Sequence, residues 1–159
     1  MKTAFVLCIL CNMENTTVKI IKVFNTSIEN VFEAWTSSEQ VAEWYGPEGM
    51  ISDVREMDAI EGGVYNITMK SVDGSAHGLR GKYRTVESPN KIIMTWQWEN
   101  LDASGMMPPE SLVTVDFRVL DEDRTEVTLT HAGLLNEEDK KAHEEGWNSS
   151  FKKLGELFP

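Results

Sequence analysis

Cysteine is almost missing from this 159-residue chain: Cys8 and Cys11 stand near its start, and none follows from Asn12 to Pro159. A disulfide framework for the folded part is thereby excluded, and a reducing, cytoplasmic setting fits. Basic residues are scarce too, 15 Lys and Arg against 26 Asp and Glu, giving a net charge of −11. With no Lys/Arg cluster to reverse that field locally, polyphosphates and anionic lipid headgroups are repelled, which argues against nucleic acid as a partner. Long hydrophobic runs are absent. The apolar stretch Ala4–Leu10 is far shorter than the roughly 20 residues of a membrane span, so no span is expected. Histidines number three, His77, His131 and His143, widely dispersed, and with the cysteines confined to the start no metal site and no cofactor are expected. Catalytic motifs are lacking as well. Gly46-Pro47-Glu48-Gly49 has neither the length nor the Lys of a phosphate loop, and Ser149-Ser150 has no evident base.

What is present is ordinary globular material. Hydrophobic residues at 41% and charged residues at 26% support a folded domain rather than a disordered or fibrous chain. A chain of this length buries about two thirds of its unfolded surface, enough for one core. Residues 1–12 are read apart from it. They begin with one Lys and a short apolar run, yet Ile9 and Leu10 precede Cys11 where a leader's cleavage site wants small residues. The expectation is an extension or vestigial leader over 1–12, a true start at Met13, and one domain over 13–159. The intact mass of the natively produced protein tests this, and a species beginning at Met1 refutes it.

Val18–Phe24 mixes alternation with β-branched residues and predicts a strand. Thr26-Ser-Ile-Glu29 then offers a capping box, Thr26 at the N-cap and Glu29 reaching back, followed by Ile28, Val31, Phe32 and Trp35 at helical spacing. Ser37-Ser-Glu-Gln40 repeats the signal for a second short helix that Gly46-Pro47 stops. From Met50 to His131 the pattern has period two and is broken by turn residues at five places, which gives six more strands. Hairpin-length connections imply an antiparallel meander. Asn136 followed by acids predicts the N-cap of a closing helix with Trp147, Phe151, Leu154 and Phe158 on one face. The order is β-α-α-β₆-α, an α+β domain.

Parity assigns the buried face of the sheet: Tyr65, Ile67 and Met69; Leu79, Gly81 and Tyr83; Ile92, Met94, Trp96 and Trp98; Val113, Val115, Phe117 and Val119; Val127, Leu129 and His131. Their neighbours are mostly polar, so one face is buried, and the long closing helix is the element to cover it. Aromatic side chains gather on that inner side. Single aromatics at such spacing are ordinary core filling, whereas a group of them with Met69 and Met94 fits an apolar pocket. The candidate ligand-binding set is Trp35, Trp44, Tyr65, Met69, Tyr83, Met94, Trp96, Trp98, Phe117, His131, Trp147 and Phe151. His131, at the inner end of its strand, is either a satisfied structural histidine or an acid/base group. Arg80 is expected in an exposed ion pair.

Several segments together resemble the AHSA-type branch of the START-like (SRPBCC) superfamily over residues 18–158. They are Ile28–Thr36 (IENVFEAWT), Val41–Pro47 (VAEWYGP), Gly62-Gly63, Asp73-Gly74 with Gly81-Lys82-Tyr83, Thr95–Trp98 (TWQW), Thr125–His131 (TEVTLTH) and Gly146-Trp147. The resemblance implies a helix-grip fold: a curved seven-stranded antiparallel sheet gripping the C-terminal helix, with a cavity that many relatives use for apolar molecules. It also brings a stress-response setting through the heat-shock chaperone for which the branch is named. Chaperone contact itself is not expected, since the eukaryotic activators carry a further amino-terminal domain. Fold alone does not establish function. The leading expectation is a binding protein for an apolar small molecule, lipid-like or aromatic; the alternatives are a cavity hydrolase, cyclase or isomerase using His131 as acid/base, and a chaperone-associated or other protein-interaction module. The expected mouth is the Trp44–Gly49 turn or the Glu99–Glu110 loop, the latter suited to a lid. A monomer and a homodimer are equally compatible with the sequence.

Overall fold

A computed structural model describes residues 16–101 and 104–159. The expected extension at residues 1–12 and the start at Met13 lie outside the described residues. Strand β1 spans Val18–Phe24, followed by helices α1 (Ile28–Thr36) and α2 (Ser38–Trp44). The remaining strands are β2 (Met50–Met57), β3 (Val64–Ser71), β4 (Ala76–Glu87), β5 (Lys91–Trp98), β6 (Ser111–Asp121) and β7 (Arg124–Ala132), and helix α3 (Glu137–Glu156) closes the chain. All seven strands form one antiparallel sheet in the order β1-β7-β6-β5-β4-β3-β2. The meander from β2 to β7 follows from its short turns. In one of them the Asp73 carboxylate accepts the Ser75 N–H at 2.8 Å, and in another Asp121 accepts from Asp123 N–H at 3.0 Å. β1 completes the sheet beside β7, with Val18 opposite His131. The fold is the helix-grip arrangement that the sequence implies.

Helix starts obey local chemistry, with one displacement. Ser37 accepts the Gln40 N–H through its side chain, and its own N–H caps Glu33, so one serine ends α1 and begins α2. Asn136 caps α3 as expected, accepting from Asp139 N–H at 2.9 Å. The cap of α1, however, is Ser27 and not Thr26. The Thr26 carbonyl is held by the Thr125 hydroxyl at 2.9 Å, which ties that residue to β7 and moves the helix start one residue on.

Parity succeeds for the buried face except at Val119, which is 55% exposed. Phe117 is the last inward residue of β6 that meets a helix, its ring 5.2 Å from that of Phe32; Val119 lies beyond it, at the hairpin end where the register shifts. The cover is also broader than one helix. Phe32, Trp35 and Trp44 are buried between sheet and α3, with Trp35 stacked on Trp147 at 5.9 Å and 29°. Trp147, Phe151 and Leu154 form the buried stripe of α3, while Phe158 follows the helix end and packs against the core from there. Each fully buried aromatic or aliphatic side chain in this set contributes roughly 1.5–3 kcal/mol of transfer free energy.

Candidate functional site

A cavity of about 460 Å³ opens at one end of the sheet, under α3. Strand register explains its place: Met69 of β3 is opposite His77 of β4, and Leu79 opposite Trp98 of β5, so Met69, His77 and Trp98 reach the same end. The turn after α2 closes one side with Tyr45, Gly46 and Pro47, and Met50 adds the start of β2. Gly46 has φ +88° and a Cβ there would sit 3.2 Å from the Met69 sulfur, so the turn requires glycine. Helix α3 supplies Asp139, Ala142, His143, Gly146, Trp147 and Ser150, whose spacing is one helix face. A volume of this size lies within the usual range for small-molecule sites.

Two tryptophan–histidine pairs shape the wall. Trp98 donates its indole N–H to Nε2 of His143 at 2.9 Å, so the proton of His143 sits on Nδ1, facing the Asp139 carbonyl at 2.8 Å and its carboxylate at 3.2 Å. Trp147 donates to Nδ1 of His131 at 3.0 Å, leaving Nε2–H for the Ser111 hydroxyl at 2.7 Å, which donates to the Trp96 carbonyl at 3.0 Å. The two imidazole rings meet edge to face at 4.9 Å. Burial, with His143 beside it, pushes the His131 pKa down to about 3. Both ring nitrogens of His131 are thus engaged within the fold, and the ring stays neutral near pH 7.

Of the twelve residues expected at the site, the fold brings Met69, Trp96, Trp98 and Trp147 to the cavity wall. His131 stands one bond behind, supporting Trp147. The other seven belong to the packed core. Trp44 donates to the Ala34 carbonyl, Phe117 packs on Phe32 and Trp35, and Phe151 packs on Phe24 and Trp35. Met94 is buried among them. Tyr65 and Tyr83 pair at 5.4 Å toward the opposite end, and the Tyr65 hydroxyl donates to the Thr95 carbonyl. Burial holds both phenols well above their ordinary pKa.

The lining residues not anticipated are mostly from α3 and the turn. Asp139, His143 and Gly146 were legible as one helical face with Trp147, the signal that would have found them. His77 bonds Asn100 at 2.9 Å across the rim. The Ser150 hydroxyl donates to the Gly146 carbonyl. Of the two expected mouths, the turn contributes three residues and the Glu99–Glu110 loop contributes Asn100. That loop is not a lid in its later part: Met107 and Pro108 take bonds from Arg80 and Gln97 on the outer face of the sheet. Arg80 correspondingly bonds Gln97 and the Met107 sulfur, and among the described residues it does not form the expected ion pair. Among the described residues no three metal-ligating side chains converge, and no helix is long and apolar enough to cross a membrane.

A family model described as Activator of Hsp90 ATPase homolog 1-like protein matches residues 25–159. No curated protein matches the chain. Among solved structures, the AHSA1 protein from Silicibacter pomeroyi is similar at 24% identity and TM-score 0.78, covering 89% of this chain and 96% of that one. A protein from Chromobacterium violaceum gives 22% identity and TM-score 0.78 with the same coverage. A solution structure from Arthrobacter aurescens gives 21% identity and TM-score 0.77, covering 90% of this chain and 86% of that one. At these identities the likeness is one of fold.

Proposed function

The chain belongs to the Activator of Hsp90 ATPase homolog 1-like family, and on that premise we propose that it is a binding protein for one small, largely apolar molecule. The observation that carries this is the cavity of about 460 Å³, walled by the rings of Tyr45, Trp96, Trp98 and Trp147 and by Met50 and Met69. Concave, aromatic-lined space with a few polar groups at its rim is what burial of a small molecule requires. Methionine side chains adapt to irregular shapes. His131 serves this site by positioning Trp147, not by proton transfer.

Gly146 supplies the test. It lies on the α3 face of the cavity, and a Cβ added there meets only Pro47, at 3.9 Å. Gly146→Leu therefore places a side chain in the cavity while improving helix propensity by up to about 1 kcal/mol. The wild type should enhance the fluorescence of the neutral dye N-phenylnaphthylamine at one site per chain. The variant should lose that binding while its melting temperature is held or raised. Equal dye binding by a folded Gly146→Leu variant refutes the site.

A further inference from the structure

We propose that the molecule held in this cavity is a cation, an apolar amine or quaternary ammonium, and not a fatty acid or other anion; this rests on the binding reading above and names the ligand's charge. Four aromatic rings border one space at differing angles. Trp96 and Trp147 are 4.9 Å apart at 47°, Trp96 and Trp98 5.8 Å apart at 85°, and Tyr45 lies 6.3 Å from both Trp96 and Trp147. Ring faces carry negative quadrupole potential and attract a cation within about 6 Å of the centroid. An ammonium group among several such rings replaces part of its lost hydration. A carboxylate at such a face is repelled.

Asp139 adds a full charge of the complementary sign. It lines the cavity with its side chain 35% exposed, so a ligand can reach it. Its carboxylate accepts the Leu135 N–H at 3.1 Å and faces His143 Nδ1 at 3.2 Å. Because Trp98 donates to His143 Nε2, the ring turns only its Nδ1 side to Asp139. Among the described residues no Lys or Arg lines the cavity. Lys153, on the same helix, turns its ammonium to the carbonyls of Tyr45 and Pro47 at 3.5 and 3.4 Å and is not part of the wall. The positive end of the α3 dipole is countered by Glu137 and Glu138, which precede Asp139 in the first turn. An anion entering here finds the Asp139 carboxylate and, among the described lining residues, no Lys or Arg.

Calorimetric titration with three compounds on a common aromatic body, naphthylethylammonium, naphthylethanol and naphthylpropanoate, tests this. The ammonium compound should bind about tenfold tighter than the alcohol, and the propanoate weakest of the three. Asp139→Asn, which keeps an oxygen for the Leu135 N–H, should remove most of the ammonium's advantage over the alcohol. If the alcohol or the propanoate binds as tightly as the ammonium, or if Asp139→Asn leaves the advantage untouched, the charge assignment is overturned while the binding reading stands. If none of the three binds, both fall.

Discussion

Protonating His131 requires breaking a hydrogen bond from Trp147 or rotating the ring inside a closed cluster, and burial opposes the charge in either case. With a folded pKa of about 3 against an ordinary 6.5, the unfolded chain binds the extra proton first. Stability from this group is complete above pH 6.5 and falls as pH drops toward 3, by up to about 1.4 kcal/mol per unit. His131→Gln should flatten that part of the profile. Urea unfolding at pH 7 and pH 4.5 measures it: the wild type should lose about 2–3 kcal/mol more than the variant over this interval. An identical pH dependence in the two proteins rules out His131 as its source. The side of the sheet occupied by His131 was readable from parity, and its neutrality was not, because the partners Trp147 and Ser111 come from other elements. The same limit separates Trp98, which meets the cavity, from Met94 on the same strand and face, which meets only core. Period two reports the face of a strand and is silent about which end of the sheet stays unfilled.

Among the elements, the β4–β5 pair shows a local conflict resolved by one glycine. The ladder pairs Arg80 with Gln97 and Tyr83 with Met94, and between them the Tyr65 hydroxyl reaches the Thr95 carbonyl while the Thr95 hydroxyl takes the Lys82 N–H at 2.8 Å. A Cβ on Gly81 would overlap both the Tyr65 ring and the Thr95 carbonyl. Gly81→Ala should therefore destabilise the protein by about 1–3 kcal/mol. Tyr65→Phe should be destabilising in the wild type and nearly neutral in the Gly81→Ala background, because the hydrogen bond is already displaced there. Additive effects in denaturant unfolding would remove Tyr65 as the reason for this glycine. The sequence marked Gly81 as inward on its strand but not what passes over it, since the contact joins three strands. Caps were easier to read. Ser37 and Asn136 act on residues three positions away, so the relevant chemistry is contiguous in the chain; only Thr26 failed, where Thr125 on a distant strand intervened.

At the scale of the whole molecule, a net charge of −11 surrounds a cavity whose described lining residues include no Lys or Arg. Two fields then act on a charged ligand: the local one of Asp139, little screened by salt, and the diffuse one of the surface, which is screened within about 8 Å at physiological ionic strength. They separate kinetically. The diffuse field steers encounter and enters the association rate, whereas the contact with Asp139 and the rings governs dissociation. Stopped-flow measurements with naphthylethylammonium should show the association rate falling by about threefold or more between 10 mM and 150 mM salt, a range over which the screening length drops from roughly 30 Å to 8 Å. The alcohol should show no such fall. Asp139→Asn should speed dissociation of the ammonium while keeping most of the salt dependence of its association, because one charge among many contributes little at long range. If the variant instead abolishes the salt dependence, the attraction resides in the cavity alone and the acidic surface plays no part in loading it.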